Sequence, residues 1–297
     1  MPLLVILGPT AVGKTALSLG VAERLGAPIV SADSRQMFRG MEIGTAAPTK
    51  QEQQRVPHYF IGTLAPDQYY NAARYETEAL TLLKKLFERH NYVVLTGGSM
   101  LYLDAVCQGI DDIPTVDDEV RRDVQQRLAN NGIEALRSEL RLIDPTYYAQ
   151  CDLRNARRIV HALEVFYTSG HPLSAFRGQP KTPRPFRIIK IGLRRERTDL
   201  FQRINTRTEQ MLAHGLIDEA RRLKPFRHCN ALQGVGYKEA FRYLDGEWTL
   251  NETRAKIQRN TRVYAKKQIT WFQKDTAIHW LDAPTATPHD VLRILQA

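Results

Sequence analysis

"LVILGPTAVGKTALSLG", residues 4 to 20, sets an apolar run against Gly8, four variable positions, and then Gly13, Lys14 and Thr15. Residues 3 to 7 are a continuous run of Leu, Val and Ile closed by Gly8-Pro9, as in a strand buried on both faces of a parallel sheet. From Lys14 to Leu25 the apolar residues Leu17, Val21, Ala22 and Leu25 recur at helical spacing, and Gly26-Ala27-Pro28 stops the pattern. The spacing G-x-x-x-x-G-K-T between strand and helix is that of a phosphate-binding loop. The loop residues Gly8, Pro9, Thr10, Ala11, Val12 and Gly13 would wrap an anion with their backbone N–H groups, which all of them but Pro9 possess. Lys14 adds a positive charge, and the Thr15 hydroxyl can take a Mg²⁺ ion. Such loops bind nucleotides such as ATP, but the motif does not say what the phosphates are attached to.

Working outward, "PIVSAD" (28 to 33), "HYFIG" (58 to 62) and "YVVLTGG" (92 to 98) read as further strands, with a long amphipathic helix at 71 to 90. Strands alternating with helices predict a P-loop NTPase-like α/β fold with a doubly wound parallel sheet, whose ligands lie beyond the carboxyl ends of the strands. Asp33 and Gly97-Gly98 fall at such ends. From residue 113 to 184 only helical patterns occur: Asp117 to Ala129, Ile133 to Leu142 and Ala156 to Thr168. This stretch is expected to be an all-helical insertion, with the core made of 1–112 and 185–297. A strand returns at 186 to 193, the rest is mostly helical, and "AIHWL" (277 to 281) is a short final strand. The stretch from 177 to 187 is a loop rich in Pro and Arg.

The 297 residues are 43% hydrophobic, enough for a substantial core. Lys and Arg number 42 against 32 Asp and Glu, a formal charge of +10, which favours a polyanionic partner and nucleic acid first. No run approaches the roughly 18 apolar residues of a membrane span. The N-terminus has no basic stretch before its apolar run, so a strand is expected there and not a signal peptide. Cys107, Cys151 and Cys229 are widely spaced and outside any Cys/His cluster, which predicts reduced thiols, no zinc site and a cytoplasmic setting.

A nucleotide hydrolase normally carries an acid at the end of a second strand to help hold Mg²⁺. "YVVLTGGSMLY" carries none; the strand-end acid is Asp33, about twenty residues after Lys14. Asp33 could act as a base or a metal ligand, or could simply cap the turn in "SADSRQ".

Eight ordered motifs resemble the tRNA dimethylallyltransferases, also called tRNA isopentenyltransferases: "GPTAVGKT" (8 to 15), "SADSRQMF" (31 to 38), "MEIGTAAP" (41 to 48), "VPHYF" (56 to 60), "LTGGSMLY" (95 to 102), "RNARRIVHALEVF" (154 to 166), "QGVGYKE" (233 to 239) and "TRVYAKKQITWF" (261 to 272). The resemblance covers nearly the whole chain. It implies transfer of a dimethylallyl group from dimethylallyl diphosphate to the exocyclic amine of adenosine 37, beside the tRNA anticodon. A diphosphate leaving group needs neutralising but no nucleotide is hydrolysed, which suits a phosphate loop without the second acid.

By the resemblance, Lys14, Thr15 with Mg²⁺, and the loop amides hold the diphosphate, and Asp33 takes the proton. Asp33, Ser34, Arg35 and Gln36 contact the target adenosine, and Ser99 and Arg121 lie where the family touches tRNA. Arg203 and Arg207 are candidates for the diphosphate or the tRNA backbone. Arg154, Arg157, Arg158 and His161 form one charged stripe, ordinarily a solvated face, which with Ile159 and Val160 matches a tRNA-binding motif. Gly234, Val235, Gly236, Tyr237, Lys238 and Glu239 read as a close approach to RNA. Arg262, Lys266, Lys267 and Gln268 could hold phosphates, with Trp271 and Phe272 in the core. The chain departs from the family at Ala47, where Lys is usual, at Ser99 for Thr, and at Tyr59 for His. It lacks the zinc-finger extension of some eukaryotic members, which favours a bacterial type; a monomer is expected. The rival reading is a P-loop kinase acting on a small molecule or nucleotide, with Asp33 as base.

Overall fold

The computed structural model describes residues 1–178 and 182–296, and the chain forms two compact units. The first comprises Met1–Gln108 and Pro183–Ala297, the second Gly109–Thr182. The helical unit thus begins four residues before the boundary read from the sequence and ends two before it. Part of the Pro/Arg-rich loop, residues 179 to 181, lies outside the described residues.

Up to the break, the chain order is β1 (Pro2–Leu7), α1 (Lys14–Leu25), β2 (Ile29–Ser31), α2 (Glu42–Thr45), α3 (Lys50–Arg55), β3 (His58–Tyr59), α4 (Ala72–Phe87), β4 (Val93–Gly97) and α5 (Met100–Cys107). The second unit contributes α6 (Asp118–Ile143), α7 (Pro145–Gln150), α8 (Ala156–Ser169) and α9 (Leu173–Phe176). The first unit then resumes with β5 (Arg187–Arg194), α10 (Arg197–Ala213), α11 (Leu216–Leu223), α12 (Tyr237–Leu244), α13 (Leu250–Phe272), β6 (Ile278–Asp282) and α14 (Pro288–Gln296).

The six strands form one parallel sheet in the order β3-β2-β4-β1-β5-β6. Central β1 is fully enclosed, with Leu3 to Ile6 at 0% exposure, because helices cover both faces. One face carries Leu3, Val5 and Leu7 against α4, α5 and the C-terminal helices, the other Leu4 and Ile6 against α1 and α14. Each such side chain removed from water contributes about 1.5–3 kcal/mol. The strand expected over 58 to 62 ends at Tyr59, because Phe60 and Gly62 turn into the left-handed region at φ 61° and 58° and break the ladder.

In the second unit the two helices expected at 117–129 and 133–142 are both present within α6, separated by a kink at Gly132 with φ 73° and ψ 178°. Its core gathers Val124, Leu136 and Leu140 with Ile159 and Leu163 of α8.

Candidate active site

The loop Gly8 to Thr15 joins β1 to α1 at the carboxyl edge of the sheet, where β1 lies between β4 and β5. Lys14 folds back over it, donating to the carbonyls of Gly8 at 3.0 Å and Pro9 at 2.9 Å. Gly13 caps α1 without a side-chain acceptor, which leaves the first-turn amides to the helix N-terminus. Burial, and then the positive charge of Arg207, lower the Lys14 ammonium to about 8, while Asp33 acts in the opposite direction.

Three arginines from the end of β5 and from α10 close on the outside of the loop. Arg203 Nε donates to Ala11 O at 2.9 Å, Arg195 Nε to Val12 O at 3.3 Å, and an Arg207 guanidinium nitrogen to Thr10 Oγ1 at 3.4 Å. Arg195 is also paired with Asp199 at 2.5 Å. Burial lowers the Arg207 pKa, and Asp33 partly restores it. So many cations around one short loop repel each other and are relieved by an anion. The Thr10 amide is already bonded to Gln268 Oε1 at 2.9 Å. Thr10 was expected among the phosphate-binding residues; its N–H instead fixes the shape of the loop.

Opposite the loop stands Asp33. The end of β4 approaches β2 so closely that a Cβ on Gly97 would lie 2.2 Å from Ala32 O. Only glycine permits this, and it brings Asp33 beside Gly97 and Gly98. The turn-capping reading of Asp33 is met by one of its two carboxylate oxygens. Its Oδ1 accepts from the amides of Arg35 at 2.9 Å and Gln36 at 3.3 Å, capping the turn. Its Oδ2 takes no hydrogen bond from any described residue, and Asp33 lines the cleft with Lys14 and Thr15.

The remaining residues of the turn are held individually. Ser34 N donates to Ser99 Oγ at 2.9 Å, and Ser99 Oγ donates to Ser34 Oγ at 3.2 Å. Tyr264 lines the cleft, its hydroxyl pushed up to about 12 by burial and then by Asp33. Gln36 donates to Thr45 O and Ala46 O at 3.3 and 3.2 Å and accepts from Ser31 Oγ at 3.2 Å. Arg35 donates to Asn230 O. The cleft encloses about 1460 Å³ and runs from the phosphate loop past Asp33 to α2 and Ala47. Arg203 and Arg207 line it together.

Several expected contacts are structural instead. Tyr237 is 2% exposed, because its ring lies under α2 and its hydroxyl donates to Glu219 Oε1 at 2.7 Å. Glu239 is buried too, accepting from Gly236 N and from Asn260, both at 2.7 Å. Of that motif, Val235 is exposed and Gly234 and Lys238 are partly so. Ile159 and Val160 are in the core of the helical unit, on the apolar side of α8, whereas Arg154, Arg157, Arg158 and His161 face solvent. Arg121 is in the first turn of α6, paired with Asp118 at 2.9 Å.

On α13, Gln268 is buried at the edge of the cleft with its amide bonded to Thr10 N and Gly98 O, while Lys266 and Lys267 are exposed. Arg262 donates to Asn205 at 2.6 Å. Phe272 is core as expected, but Trp271 is 38% exposed, its indole donating to Asp104 at 3.0 Å.

Sequence reading missed the roles of Gln268, Tyr264, Glu219 and Arg195. Gln268 and Glu219 act through partners 170 or more residues away, Gln268 on the phosphate loop and Gly98 and Glu219 on α2, while Tyr264 lines the cleft. Arg195 follows a strand end, the place a parallel sheet puts ligand contacts, and could have been found on that ground.

β4 runs into Gly97, Gly98 and Ser99 with no acid. Among the described residues no three His, Cys, Asp or Glu side chains group as a metal site. The donors present, the Thr15 hydroxyl and Asp33 Oδ2, fit a Mg²⁺ ion that arrives on phosphate oxygens and keeps much of its water, not one caged by protein. The cysteines are free thiols, and no described helix is long and apolar enough to cross a membrane.

Comparison with known proteins matches residues 36–275 to the IPP transferase family model. The chain is 54% identical to tRNA dimethylallyltransferase 1 of Phocaeicola vulgatus over 94% of this chain and 93% of the relative. It is 53% identical to tRNA dimethylallyltransferase 2 of Porphyromonas gingivalis, over 99% and 97%. The crystal structure of the full-length tRNA isopentenylpyrophosphate transferase of Bacillus halodurans superposes with a TM-score of 0.72 at 37% identity, covering 99% of this chain and 94% of that one. A eukaryotic dimethylallyltransferase acting on tRNA, 24% identical, shares the fold with a TM-score of 0.79 over 95% and 74%. The phosphate loop facing a strand-end aspartate, on a sheet of this topology and at these identities, makes the chain a member of the IPP transferase family.

Proposed function

We propose that the chain is a tRNA dimethylallyltransferase that moves a dimethylallyl group from dimethylallyl diphosphate to the exocyclic amine of adenosine 37. The observation that carries this reading is the pairing, in one cleft, of a cation-ringed phosphate loop with Asp33 and with no acid at the end of β4. The allylic C–O bond breaks, the N–C bond forms, and the leaving diphosphate takes the electron pair of the C–O bond. Lys14 and the amides at the start of α1 stabilise the charge that develops on that diphosphate. Asp33 Oδ2 accepts the proton released by the amine, while Oδ1 keeps the carboxylate oriented through the Arg35 and Gln36 amides.

Thr15, with Asp33 nearby, would hold Mg²⁺, which when bound neutralises phosphate charge. The adenine must leave its stack in the anticodon loop to reach Asp33, and the cleft is large enough for a base beside a small diphosphate. The exposed arginines of α8 and the exposed Lys266 and Lys267 of α13 offer phosphate contacts to the rest of the loop and stem. The enzyme acts in the cytoplasm as a monomer.

The kinase alternative is not favoured: the comparisons lie throughout with tRNA-modifying transferases. The test is incubation with radiolabelled dimethylallyl diphosphate, Mg²⁺ and unmodified tRNA bearing adenosine at 37. Label is expected in the tRNA and diphosphate in solution. Absence of label with folded protein, together with ATP consumption on a small acceptor, overturns the proposal.

A further inference from the structure

Gln268 is 1% exposed and stands where the phosphate loop, β4 and α13 meet. Its Oε1 accepts from the Thr10 amide at 2.9 Å and its Nε2 donates to Gly98 O at 2.7 Å. A carboxamide presents an acceptor and a donor side by side, and both are used here. The approach requires Gly98: a Cβ there would lie 2.5 Å from the Gln268 amide nitrogen. The same point is 3.6 Å from Lys14 Nζ and 3.5 Å from Gly8 O, so this amide shares a junction with the groups that take the diphosphate.

One turn earlier on α13, Tyr264 stands beside Asp33 and Ser99, and Ser99 accepts from Ser34 N in the Asp33 turn. Positions four apart rise about 6 Å along a helix. A single helix thus grips the phosphate loop and the end of β4 through Gln268, and stands against the Asp33 turn one turn earlier. The charged groups facing the junction, Lys14 on α1, Arg207 on α10 and Asp33 after β2, all belong to the cleft.

We propose that Gln268 is a positioning residue whose amide fixes the separation between the phosphate loop and the Asp33 turn, so that the leaving diphosphate and the attacking amine meet at reacting distance. The proposal rests on the transfer reaction given above. Gln268 touches no reacting atom; it acts through Thr10 and Gly98. Displacement of a reacting group by about 1 Å lowers turnover roughly 10²-fold, whereas binding through remote contacts is unaffected.

The test uses Gln268→Met, of similar length with neither hydrogen-bonding group, and Gln268→Asn, which keeps an amide one methylene short of spanning both partners. For each full-length variant, the unfolding temperature, kcat, KM for tRNA and the dissociation constant of inorganic pyrophosphate with Mg²⁺ are measured. The expected result is a fall in kcat of about 10- to 100-fold and weaker pyrophosphate binding, with KM for tRNA within about twofold of the parent. If kcat and pyrophosphate affinity stay at the parent values while only the unfolding temperature drops, Gln268 is a packing residue and the proposal is overturned. Should Gln268→Met fail to fold, Gln268→Asn, with its retained polar group, decides by the same criteria. If the parent protein itself does not prenylate tRNA, the reaction reading fails, while the pyrophosphate titration still reports whether Gln268 shapes the loop.

Discussion

The hydroxyl of Tyr237 donates to Glu219 Oε1 at 2.7 Å, joining α12 to a buried carboxylate on α11. Glu219 also accepts from the amides of Ile43 at 2.9 Å and Gly44 at 2.8 Å. These bonds pin α2, whose following carbonyls at Thr45 and Ala46 hold the Gln36 amide. A chain of hydrogen bonds therefore runs from the interior to Gln36 in the lining of the cleft.

Tyr237→Phe removes one of the three donors to Glu219 and is expected to cost about 1–2 kcal/mol, lowering the unfolding temperature by roughly 2–4 °C. Glu219→Leu strands the buried Tyr237 hydroxyl and the two half-buried amides of Ile43 and Gly44, and should cost more, roughly 3 kcal/mol. Thermal unfolding of both variants checks the order. Affinity for tRNA should be unchanged in Tyr237→Phe once the protein is folded; a selective loss of tRNA binding would return Tyr237 to the RNA surface.

Asp33→Asn separates the two tasks of that side chain. The carboxamide oxygen can still accept from the Arg35 and Gln36 amides, so the turn and the unfolding temperature should be preserved. The proton acceptor is lost, and turnover should fall at least about 10²-fold with tRNA affinity intact. Asp33→Ala loses the turn as well and should be the less stable of the two. An equal collapse of tRNA binding in Asp33→Asn would make Asp33 a binding residue.

Lys14 gives a pH signature. The fold lowers its pKa to about 8 from 10.5, so the folded state resists its protonation. Its contribution is therefore destabilising below pH 8 and is relieved as pH rises from 8 toward 10.5. Binding of an anion has the opposite preference, for the ammonium form. Pyrophosphate affinity owed to Lys14 should be constant below pH 8 and decline above it, toward about tenfold per unit. Titrations of the parent and of Lys14→Met across this range isolate the effect: the variant should bind more weakly and lose this component. Parallel pH profiles would show that Lys14 does not meet the anion.

The sheet was legible because β1 and β4 are unbroken apolar runs that only a strand covered on both faces accommodates, and the phosphate loop because it is written in eight consecutive residues. The Asp33 turn was legible for the same local reason. What stayed hidden was whatever depends on a partner distant in sequence. "GVGYKE" looks polar and glycine-rich, yet Tyr237 and Glu239 turn inward because Glu219 and Gly236 offer them partners. In "KKQITW" the uncharged Gln268 proved buried and the indole exposed, which helical periodicity alone does not separate where polar and apolar residues are mixed. Hydrophobic periodicity did predict α8, but the motif match ran across both of its faces.

That division of α8 supplies the last prediction. Arg157 and Arg158 lie on its solvent face and Ile159 in the core at 0% exposure, so adjacent substitutions should separate binding from folding. Reversal of charge in Arg157→Glu with Arg158→Glu should weaken tRNA binding and flatten its dependence on salt, by a slope of roughly 0.7–0.9 for each phosphate that the variant no longer neutralises. Stability should be nearly unchanged, since exposed charges on a helix face contribute little. Ile159→Ala should do the reverse, lowering the stability of the helical unit by about 2–5 kcal/mol through the cavity left beside Val124 and Leu140, with the salt slope intact wherever the protein remains folded. Binding measured between low and moderate salt, with unfolding followed in parallel, tests both. An unchanged slope in the arginine pair would make that stripe a solvated face and transfer the electrostatic role to the exposed lysines of α13.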